Sequence, residues 1–364
     1  MSIPKRLTAL RDRLGALEVD CLLVRQPENR RYISGFKPLD TQLGESSGAL
    51  IISAQEAILA TDARYGLQAR VQAKGFEVFL YPRGLVKSFR ELIERTQCRR
   101  VGVESEAVSH RLYEKLAAEL PDGVEMVAVA DAVEPLRAVK DEEEIAAIRD
   151  SLRLTERVLA LVRGRLRLGR REQEIAWDIE RSIREGGAEA VAFAPIAASG
   201  EHSAEPHAEP TNRALDKADS LILDLGARLA GYCSDMTRTL CMGRPDVRFK
   251  EVYQMVRQAQ QAAQKAVRPG MACAELDAIA RDLFAQSGVA EHFAHSLGHG
   301  VGLATHEKPS LSPHSQDVLE PGMVITIEPG LYFPGWGGVR LENMVVVRPD
   351  GRELLSREDD FYEI

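Results

Sequence analysis

The sequence predicts two domains, a smaller α/β domain over residues 1–131 and an α+β domain over residues 132–364. A length of 364 residues exceeds the usual range of one domain, and each part is long enough to bury its own core. In the first third, short apolar runs alternate with amphipathic segments, which favours a buried sheet covered by helices. In the remainder, apolar runs are joined at glycines, which predicts mostly antiparallel strands with the helices on one face.

The elements of the first domain follow from that alternation. Strands are predicted at the runs DCLLV, GALIIS, EAILAT, FEVFLY and RRVGVE, and amphipathic segments such as 84–97 and 109–120 lie between them. The pattern changes near residue 131, where Pro135 interrupts it and a long amphipathic run follows Asp141. Asp141 is predicted to cap a helix over about 142–166, with Glu144 completing a capping box.

The second domain combines helices with short strands. Further helices are predicted near 171–186, 248–266 and 273–287, and strands near 192–198, 219–226, 229–233, 237–240, 323–327, 338–340 and 343–348.

Composition and charge exclude several functions. Lysine and arginine total 47 against 55 acids, a formal charge of −8 without any run of like charge, which argues against a nucleic-acid or acidic-membrane partner. The start of the chain lacks the apolar core of a signal peptide, and no stretch approaches the roughly 18 apolar residues of a membrane span. Five scattered cysteines form no CxxC pair, so we expect a reducing, cytoplasmic location.

Five candidate metal ligands lie in the second domain: Asp224, Asp235, His299, Glu328 and Glu342. Each lies inside or beside an apolar, strand-like run, where an unpaired charge would be costly. Asp224 and Asp235 flank a GARLAG turn region, so neighbouring strands of a hairpin can present both on one side. Carboxylates held this close repel each other unless a cation lies between them. A pair of divalent cations would compensate these charges.

Four of the five candidates have a simpler interpretation when taken alone. Asp224 and Asp235 are compatible with turn or capping roles, and His299, between glycines in GHGVG, with a packed turn. Glu342 is predicted to share a strand face with Arg340, and an ion pair between them is the alternative to metal ligation. The complete set is what favours a metal site.

These motifs resemble the pita-bread metallopeptidases, which include prolidase, aminopeptidase P and methionine aminopeptidase. The two aspartates are followed by HSLGHGVG, TIEPG and GVRLEN, and ASGEHSAEPHAEPTNR precedes the first of them. With NRRYISGF and ATDARY in the first domain, the pattern is most similar to the proline-specific branch, whereas methionine aminopeptidases lack such a domain. The resemblance covers essentially the whole chain. It implies a pita-bread (creatinase/aminopeptidase-like) second domain and a creatinase N-terminal-like first domain, which would serve dimerisation and substrate access.

The resemblance also implies roles for the ligands. Asp224 would chelate one metal ion, Asp235 and Glu342 would bridge both, and His299 and Glu328 would complete the second. The ion pair would lower the pKa of a bridging water and polarise the scissile carbonyl. Glu328 would carry that water's proton to the leaving proline nitrogen. Oxygen-rich ligation favours Mn(II), with Co(II), Zn(II) or Fe(II) as alternatives.

The remaining site residues come from the same motifs. His207 and His306 match the family's two active-site histidines, which bind substrate and stabilise the tetrahedral intermediate, although either histidine alone would suit a surface or core role. His295 would line the pocket or support the ligands. Phe193 is a candidate for the proline pocket, with a plain core role as the alternative, and Arg340 for orienting carboxylates.

The resemblance implies hydrolysis of the Xaa-Pro bond of a proline-containing peptide. Many dipeptide-specific relatives hold the free carboxylate of proline with an arginine shortly after the second histidine. This chain has Lys308 after His306 but no arginine before Pro321. We therefore expect an Xaa-Pro aminopeptidase of the aminopeptidase P type, with an Xaa-Pro dipeptidase (prolidase) as the alternative.

Two other functions and one assembly state complete the expectations. A creatinase-type hydrolase is disfavoured because metal-free members replace ligands that are all present here. The intact ligands likewise argue against a non-enzymatic interaction module of the same fold. By analogy with relatives, the chain is expected to form a homodimer.

Overall fold

The computed structural model describes residues 2–38, 40 and 45–357, and the chain divides into two compact units, Met1–Arg137 and Ala138–Ile364. The division follows Arg137 rather than residue 131. In the first unit, Tyr32 Oη donates a hydrogen bond to Leu136 O (2.8 Å) and Arg137 Nη1 donates to Asn29 Oδ1 (2.7 Å). These contacts tie the segment after residue 131 to the first unit.

The first unit is a mixed sheet with helices between its strands. The sheet has the order β4-β3-β2-β1-β5-β6, in which β2 is antiparallel to both neighbours and the other pairs are parallel. Its strands are β1 (Cys21–Val24), β2 (Ala49–Ser53), β3 (Ala57–Thr61), β4 (Glu77–Leu80), β5 (Arg100–Glu104) and β6 (Glu125–Val129). Its helices are α1 (Ile3–Leu14), α2 (Pro27–Ser34), α3 (Gly66–Gln72), α4 (Leu85–Thr96), α5 (His110–Ala117) and α6 (Glu134–Ala138).

The α/β class of this unit is confirmed. All five predicted apolar runs form strands. The strands β1 and β2 are buried along their whole length, as expected for strands covered on both faces. The sixth strand, β6, was not predicted. It lies at the sheet edge, begins with an exposed glutamate and is only partly buried, so its pattern is weak.

The second unit has antiparallel strands and four long helices. The helices are α7 (Glu142–Arg163), α8 (Glu172–Glu185), α9 (Val247–Ala266) and α10 (Cys273–Gln286). The strands before α9 are β7 (Ala190–Val191), β8 (Ile196–Ser199), β9 (Ser220–Leu225), β10 (Ala227–Leu229), β11 (Tyr232–Cys233) and β12 (Met236–Cys241). Those after α10 are β13 (Gly298–Gly300), β14 (Glu307–Leu311), β15 (Val324–Ile327), β16 (Gly330–Phe333), β17 (Gly337–Arg340), β18 (Asn343–Arg348) and β19 (Gly351–Leu354).

Two sheets carry the site, with the orders β12-β9-β8 and β14-β13-β15-β18-β19. All their pairings are antiparallel, as predicted. The capping box is also confirmed: Asp141 Oδ1 accepts from Glu144 N (2.9 Å) and Glu144 Oε2 accepts from Asp141 N (3.1 Å). No helix in the described part of the chain is both long and apolar enough to cross a bilayer.

The prediction that the helices cover one face is wrong. Ile325 and Ile327 of β15 pack in a core formed with α9 and α10, whereas Val324 of the same strand packs in a core formed with α7 and α8. Alternate residues of a strand point to opposite faces, so β15 is covered on both sides. All four residues of β15 are buried, as expected for a strand covered on both faces.

A buried acid at the end of β5 makes the first unit sensitive to pH. Glu104 Oε2 accepts from Arg25 N (2.5 Å) and Gln26 N (2.8 Å), and Oε1 accepts from Asn29 Nδ2 (2.7 Å). Burial raises the pKa of Glu104 to about 7, against the effect of these hydrogen bonds. The folded pKa exceeds the unfolded value of about 4.3, so the contribution to stability is complete below that value and is lost as the pH rises through 7.

Glu104→Gln is therefore expected to flatten the pH dependence of stability in the first unit. The wild type should lose up to about 3 kcal/mol between pH 5 and pH 8, because deprotonation puts a charge in a buried site. Hydrogen exchange of peptides over β1 and β5 at both pH values measures this unit directly. The same loss of protection in the variant would show that another group is responsible.

Candidate metal centre and active site

The five predicted ligands lie within or directly beside strands of the two sheets. Asp224 is on β9, Asp235 directly precedes β12, and His299 is in the middle of β13. Glu328 directly follows β15, and Glu342 lies in the short connection between β17 and β18. Because β9 and β12 pair antiparallel, with Leu225 opposite Met236, the two aspartates are brought to neighbouring strands as predicted. The intervening turn region forms its own small strands, β10 and β11.

The structure brings the ligand atoms together. One potential ligand atom each from Asp235, His299 and Glu342 lies within 4.8 Å of the others. His299 Nε2 is 3.3 Å from Glu328 Oε1 and 3.7 Å from Asp235 Oδ2. Two donors that each lie about 2.0–2.2 Å from one ion are roughly 3–4 Å apart, so these separations suit joint ligation of an ion.

Two carboxylates each keep one buried oxygen unpaired. Asp224 Oδ2 accepts from Arg340 Nη2 (2.8 Å), and Glu342 Oε2 accepts from Thr237 Oγ1 (2.9 Å). Asp224 Oδ1 and Glu342 Oε1 are buried and have no hydrogen-bond partner among the described residues. A buried acceptor left unpaired costs about 1–3 kcal/mol. These oxygens fit a cation, which would satisfy both.

The charges of the cluster do not balance. Burial, and then repulsion from neighbouring carboxylates, raise the pKa values of Asp235 and Glu342 well above their ordinary values. Burial opposes ionisation of Glu328 as well, but the hydrogen bond and charge of His299 lower its pKa to about 2. Burial by itself would lower the pKa of His299, but the hydrogen bond and negative charge of Glu328 outweigh it, so the pKa of His299 is raised. Divalent ions would supply the missing positive charge and ionise the remaining acids.

The alternative role of Glu342 is not supported by the geometry. Arg340 ends β17 and Glu342 lies beyond it, so the two do not share a strand face. The guanidinium binds Asp224, and the carboxylate of Glu342 is bound by Thr237. Arg340 therefore pairs with the first aspartate, and the alternative ion pair between Arg340 and Glu342 does not form.

All the predicted site residues other than Glu342 line one cavity of about 1040 Å³. They are Phe193, His207, Asp224, Asp235, His295, His299, His306, Glu328 and Arg340. Phe193 is partly exposed on the wall, so it is not a plain core residue. A side chain at Gly226 would place its Cβ 2.8 Å from the Phe193 ring, so this glycine makes room for the phenylalanine.

The ring of His306 contacts that of His299 on the cavity wall, with centroids 4.1 Å apart. Burial, and then the neighbouring His299, lower the pKa of His306. The next residue, Glu307, forms a buried ion pair with Lys140, with Nζ 2.7 Å from Oε1. At Gly302, a Cβ would lie only 2.2 Å from Glu307 Oε1. The glycines after His299 thus admit the side chain that anchors the His306 turn.

Tyr332 is a site residue that sequence reasoning missed. Its hydroxyl accepts a hydrogen bond from Arg340 Nη1 (2.8 Å) and lies 2.9 Å from His295 Nε2. Burial raises the pKa of Tyr332 to about 12, so the neutral hydroxyl donates to His295, whose own pKa burial lowers. His295 Nδ1 donates to Ser296 O (2.8 Å). In the sequence, Tyr332 reads as an ordinary apolar strand residue of GLYF, and no signal separated it from the core.

Comparisons with known proteins cover nearly the whole chain. Residues 146–349 match metallopeptidase family M24, and residues 6–139 match the creatinase/prolidase N-terminal domain. The Xaa-Pro dipeptidase of Pyrococcus furiosus is 34% identical over 342 residues, 94% of each chain. The solved structure of an Xaa-Pro dipeptidase from Bacillus anthracis has a TM-score of 0.94 at 31% identity, over 100% of this chain and 99% of the other. That of an X-Pro aminopeptidase from Thermotoga maritima has a TM-score of 0.85 at 32% identity, over 96% and 99%.

Asp235→Asn is expected to weaken divalent-metal binding by at least about 10-fold, because the neutral amide removes a charge and one ligand oxygen. Titration calorimetry with Mn(II) measures the affinity, and elemental analysis measures the stoichiometry. Glu353→Gln, which changes a partly exposed carboxylate paired with Arg149 and Arg348, serves as the control. Wild-type affinity in Asp235→Asn would remove this residue from the ligand set.

Proposed function

Because this chain belongs to metallopeptidase family M24, we propose that it is a dimetal exopeptidase that hydrolyses the Xaa-Pro bond at peptide N-termini. The observation that carries the proposal is the largely buried cluster of Asp235, His299 and Glu342, with Glu328 and Asp224 beside it in one cavity and unpaired oxygens on Asp224 and Glu342. His207 and His306 line the cavity beside this group. The two relatives described above that act on Xaa-Pro bonds and have known structures support the bond specificity.

The proposed cofactor is two divalent ions, with Mn(II) suggested by the oxygen-rich donors. Asp224, Asp235, His299, Glu328 and Glu342 would hold them. When bound, such ions supply Lewis-acid polarisation of the scissile carbonyl and a water acidic enough to lose its proton near neutral pH.

Glu328 is the proposed proton carrier. Its Oε1 lies 3.3 Å from His299 Nε2 and accepts a hydrogen bond from Thr326 Oγ1 (3.1 Å), which orients the carboxylate. The carboxylate would take the proton of the attacking water and deliver it to the proline nitrogen as the amide bond breaks. His207 and His306 would donate hydrogen bonds to the substrate carbonyl and to the oxyanion that replaces it. Phe193 would contact the proline ring.

The aminopeptidase form of this activity is supported by the size of the cavity and its far wall. A volume of about 1040 Å³ is at the upper end of the range for small-ligand sites and leaves room beyond a dipeptide. The described cavity wall after His306 presents Lys308 and His314 but no arginine before Pro321. The second candidate, a dipeptidase, is favoured by the relatives of that name and by the ammonium group of Lys308, which would suit a free carboxylate.

We further propose a homodimer, by analogy with relatives. Light scattering coupled to size-exclusion chromatography measures this directly, and a monomer at working concentration would contradict it.

Cleavage of Ala-Pro, Ala-Pro-Ala and longer peptides by the Mn(II)-loaded enzyme tests the proposed length preference. An aminopeptidase is expected to cleave the tripeptide with a kcat/KM equal to or above that of the dipeptide. A dipeptidase would cleave Ala-Pro alone. In that case Lys308→Met should raise the KM for Ala-Pro selectively if this side chain binds the carboxylate. Hydrolysis of neither peptide would refute the Xaa-Pro assignment.

Glu328→Gln is expected to lower kcat by at least about 100-fold, because an amide cannot carry the proton. Binding of a non-hydrolysed peptide, measured by calorimetry, should change little by comparison. Metal content is determined in parallel, since loss of an ion would also abolish turnover. Near-normal kcat with both ions bound would exclude Glu328 as the proton carrier.

A further inference from the structure

His207 lies in the connection between β8 and β9, and we define the His207 loop as residues 200–212 of that connection. A single buried carboxylate binds near both ends of this loop. Glu172, the first residue of α8, is fully buried, and its Oε1 accepts hydrogen bonds from the N and Oγ of Ser199 (both 2.7 Å) at the end of β8. Its Oε2 accepts from Thr211 N (3.0 Å) and Thr211 Oγ1 (2.6 Å) at the other end of the loop.

The same oxygen also binds within the loop. His202 Nδ1 lies 2.8 Å from Glu172 Oε2. Burial would raise the pKa of Glu172, but the hydrogen bonds from Thr211 and Ser199 outweigh it and lower the pKa, so the group is a carboxylate at neutral pH. An ionised acceptor requires a proton on His202 Nδ1. Backbone bonds from Glu172 N to Arg213 O (3.0 Å) and from Gln173 N to Thr211 O (3.1 Å) join the start of α8 to the end of the loop.

Two contacts from β17 hold the middle of the loop beside the proposed metal ligands. Arg340 Nη1 donates to Pro206 O (2.9 Å), next to His207, and Ser203 Oγ accepts from Gly338 N (2.8 Å). Gly338 allows this approach, because a Cβ there would lie 2.2 Å from Ser203 O. The loop is thus held between a buried anion at its ends and a buried cation beside His207.

We propose that Glu172 is a positioning residue for His207: its carboxylate sets the path of the His207 loop and thereby places the imidazole in the cavity. This inference rests on the proposed function for its kinetic consequence. The negative charge is needed because five donors converge on the two oxygens of Glu172. In Glu172→Gln, an amide NH₂ would replace one oxygen and face donors that it cannot accept from. The loop would have to shift, and small displacements of a catalytic group can cost up to about 100-fold in rate.

A double-mutant cycle separates positioning from a general structural role. As a single variant, Glu172→Gln is expected to lower kcat/KM for the Xaa-Pro substrate by about 10- to 100-fold relative to the wild type. In a His207→Ala background, the same change should alter the residual rate less than about 2-fold, because the group that it positions is gone. The control is Asp178→Asn on the same helix, a buried carboxylate bound by Arg165, Arg170 and Arg181. Its effect on activity should be small and independent of His207.

Hydrogen exchange of the metal-loaded enzyme provides a readout that does not depend on turnover. Peptides over 200–212 should lose protection in Glu172→Gln but not in Asp178→Asn, while β13 is unchanged in both. If Glu172→Gln is poorly folded, Thr211→Val is used in its place, because it removes one donor to the carboxylate. It should lower the protection of the same peptides by a smaller amount. Additive losses of rate in the cycle, or unchanged exchange in the His207 loop, would overturn the proposal. A wild type inactive on every Xaa-Pro peptide would refute the proposed function, and the exchange data would still decide the role of Glu172.

Discussion

The contacts of the Arg340 guanidinium connect the separate segments of the site. Nη2 binds the carboxylate of Asp224, and Nη1 binds both Pro206 O and the hydroxyl of Tyr332. Nε donates to Thr237 Oγ1 (3.1 Å), whose hydroxyl in turn donates to Glu342. The side chain is only 4% exposed, so its charge is tolerated there because every contact is with an acceptor. One cation thus links two sheets, the His207 loop and two of the proposed ligands.

This guanidinium does not neutralise the cluster. Four carboxylates face one guanidinium and one imidazole, and burial together with the remaining repulsion raises the pKa values of Asp235 and Glu342. The fold therefore holds an electrostatically unfavourable arrangement, which metal ions would convert into a favourable one. Arg340 orients the carboxylates and leaves their other oxygens available, a different task from compensating their charge.

The rigidity needed for this arrangement comes from the sheets behind it. β15 and β18 are buried on both faces, and their alternate side chains enter two separate cores. Glu328 directly follows one of these strands and Glu342 directly precedes the other, so two acids extend from the most enclosed part of the unit. Two buried carboxylates hold the loops next to this framework. Glu307 pairs with Lys140 beside His306, and Glu172 accepts hydrogen bonds from residues near both ends of the His207 loop. Polar side chains with all their partners in place can hold a loop to one conformation.

Features that depend on local pattern and residue type could be predicted from the sequence. The apolar runs indicated most of the strands, Asp141 and Glu144 indicated a helix start, and the order of acids and histidines indicated the candidate ligands, whose surrounding motifs resemble those of a known family. Contacts between residues far apart in the chain were decided only by the tertiary structure. These include the pairing of Arg340 with Asp224 rather than Glu342, the hydroxyl of Tyr332 between Arg340 and His295, and the burial of Glu172 under the His207 loop. The physical reason is that a side chain's role depends on its partner and on its burial, and neither is encoded in the residues next to it.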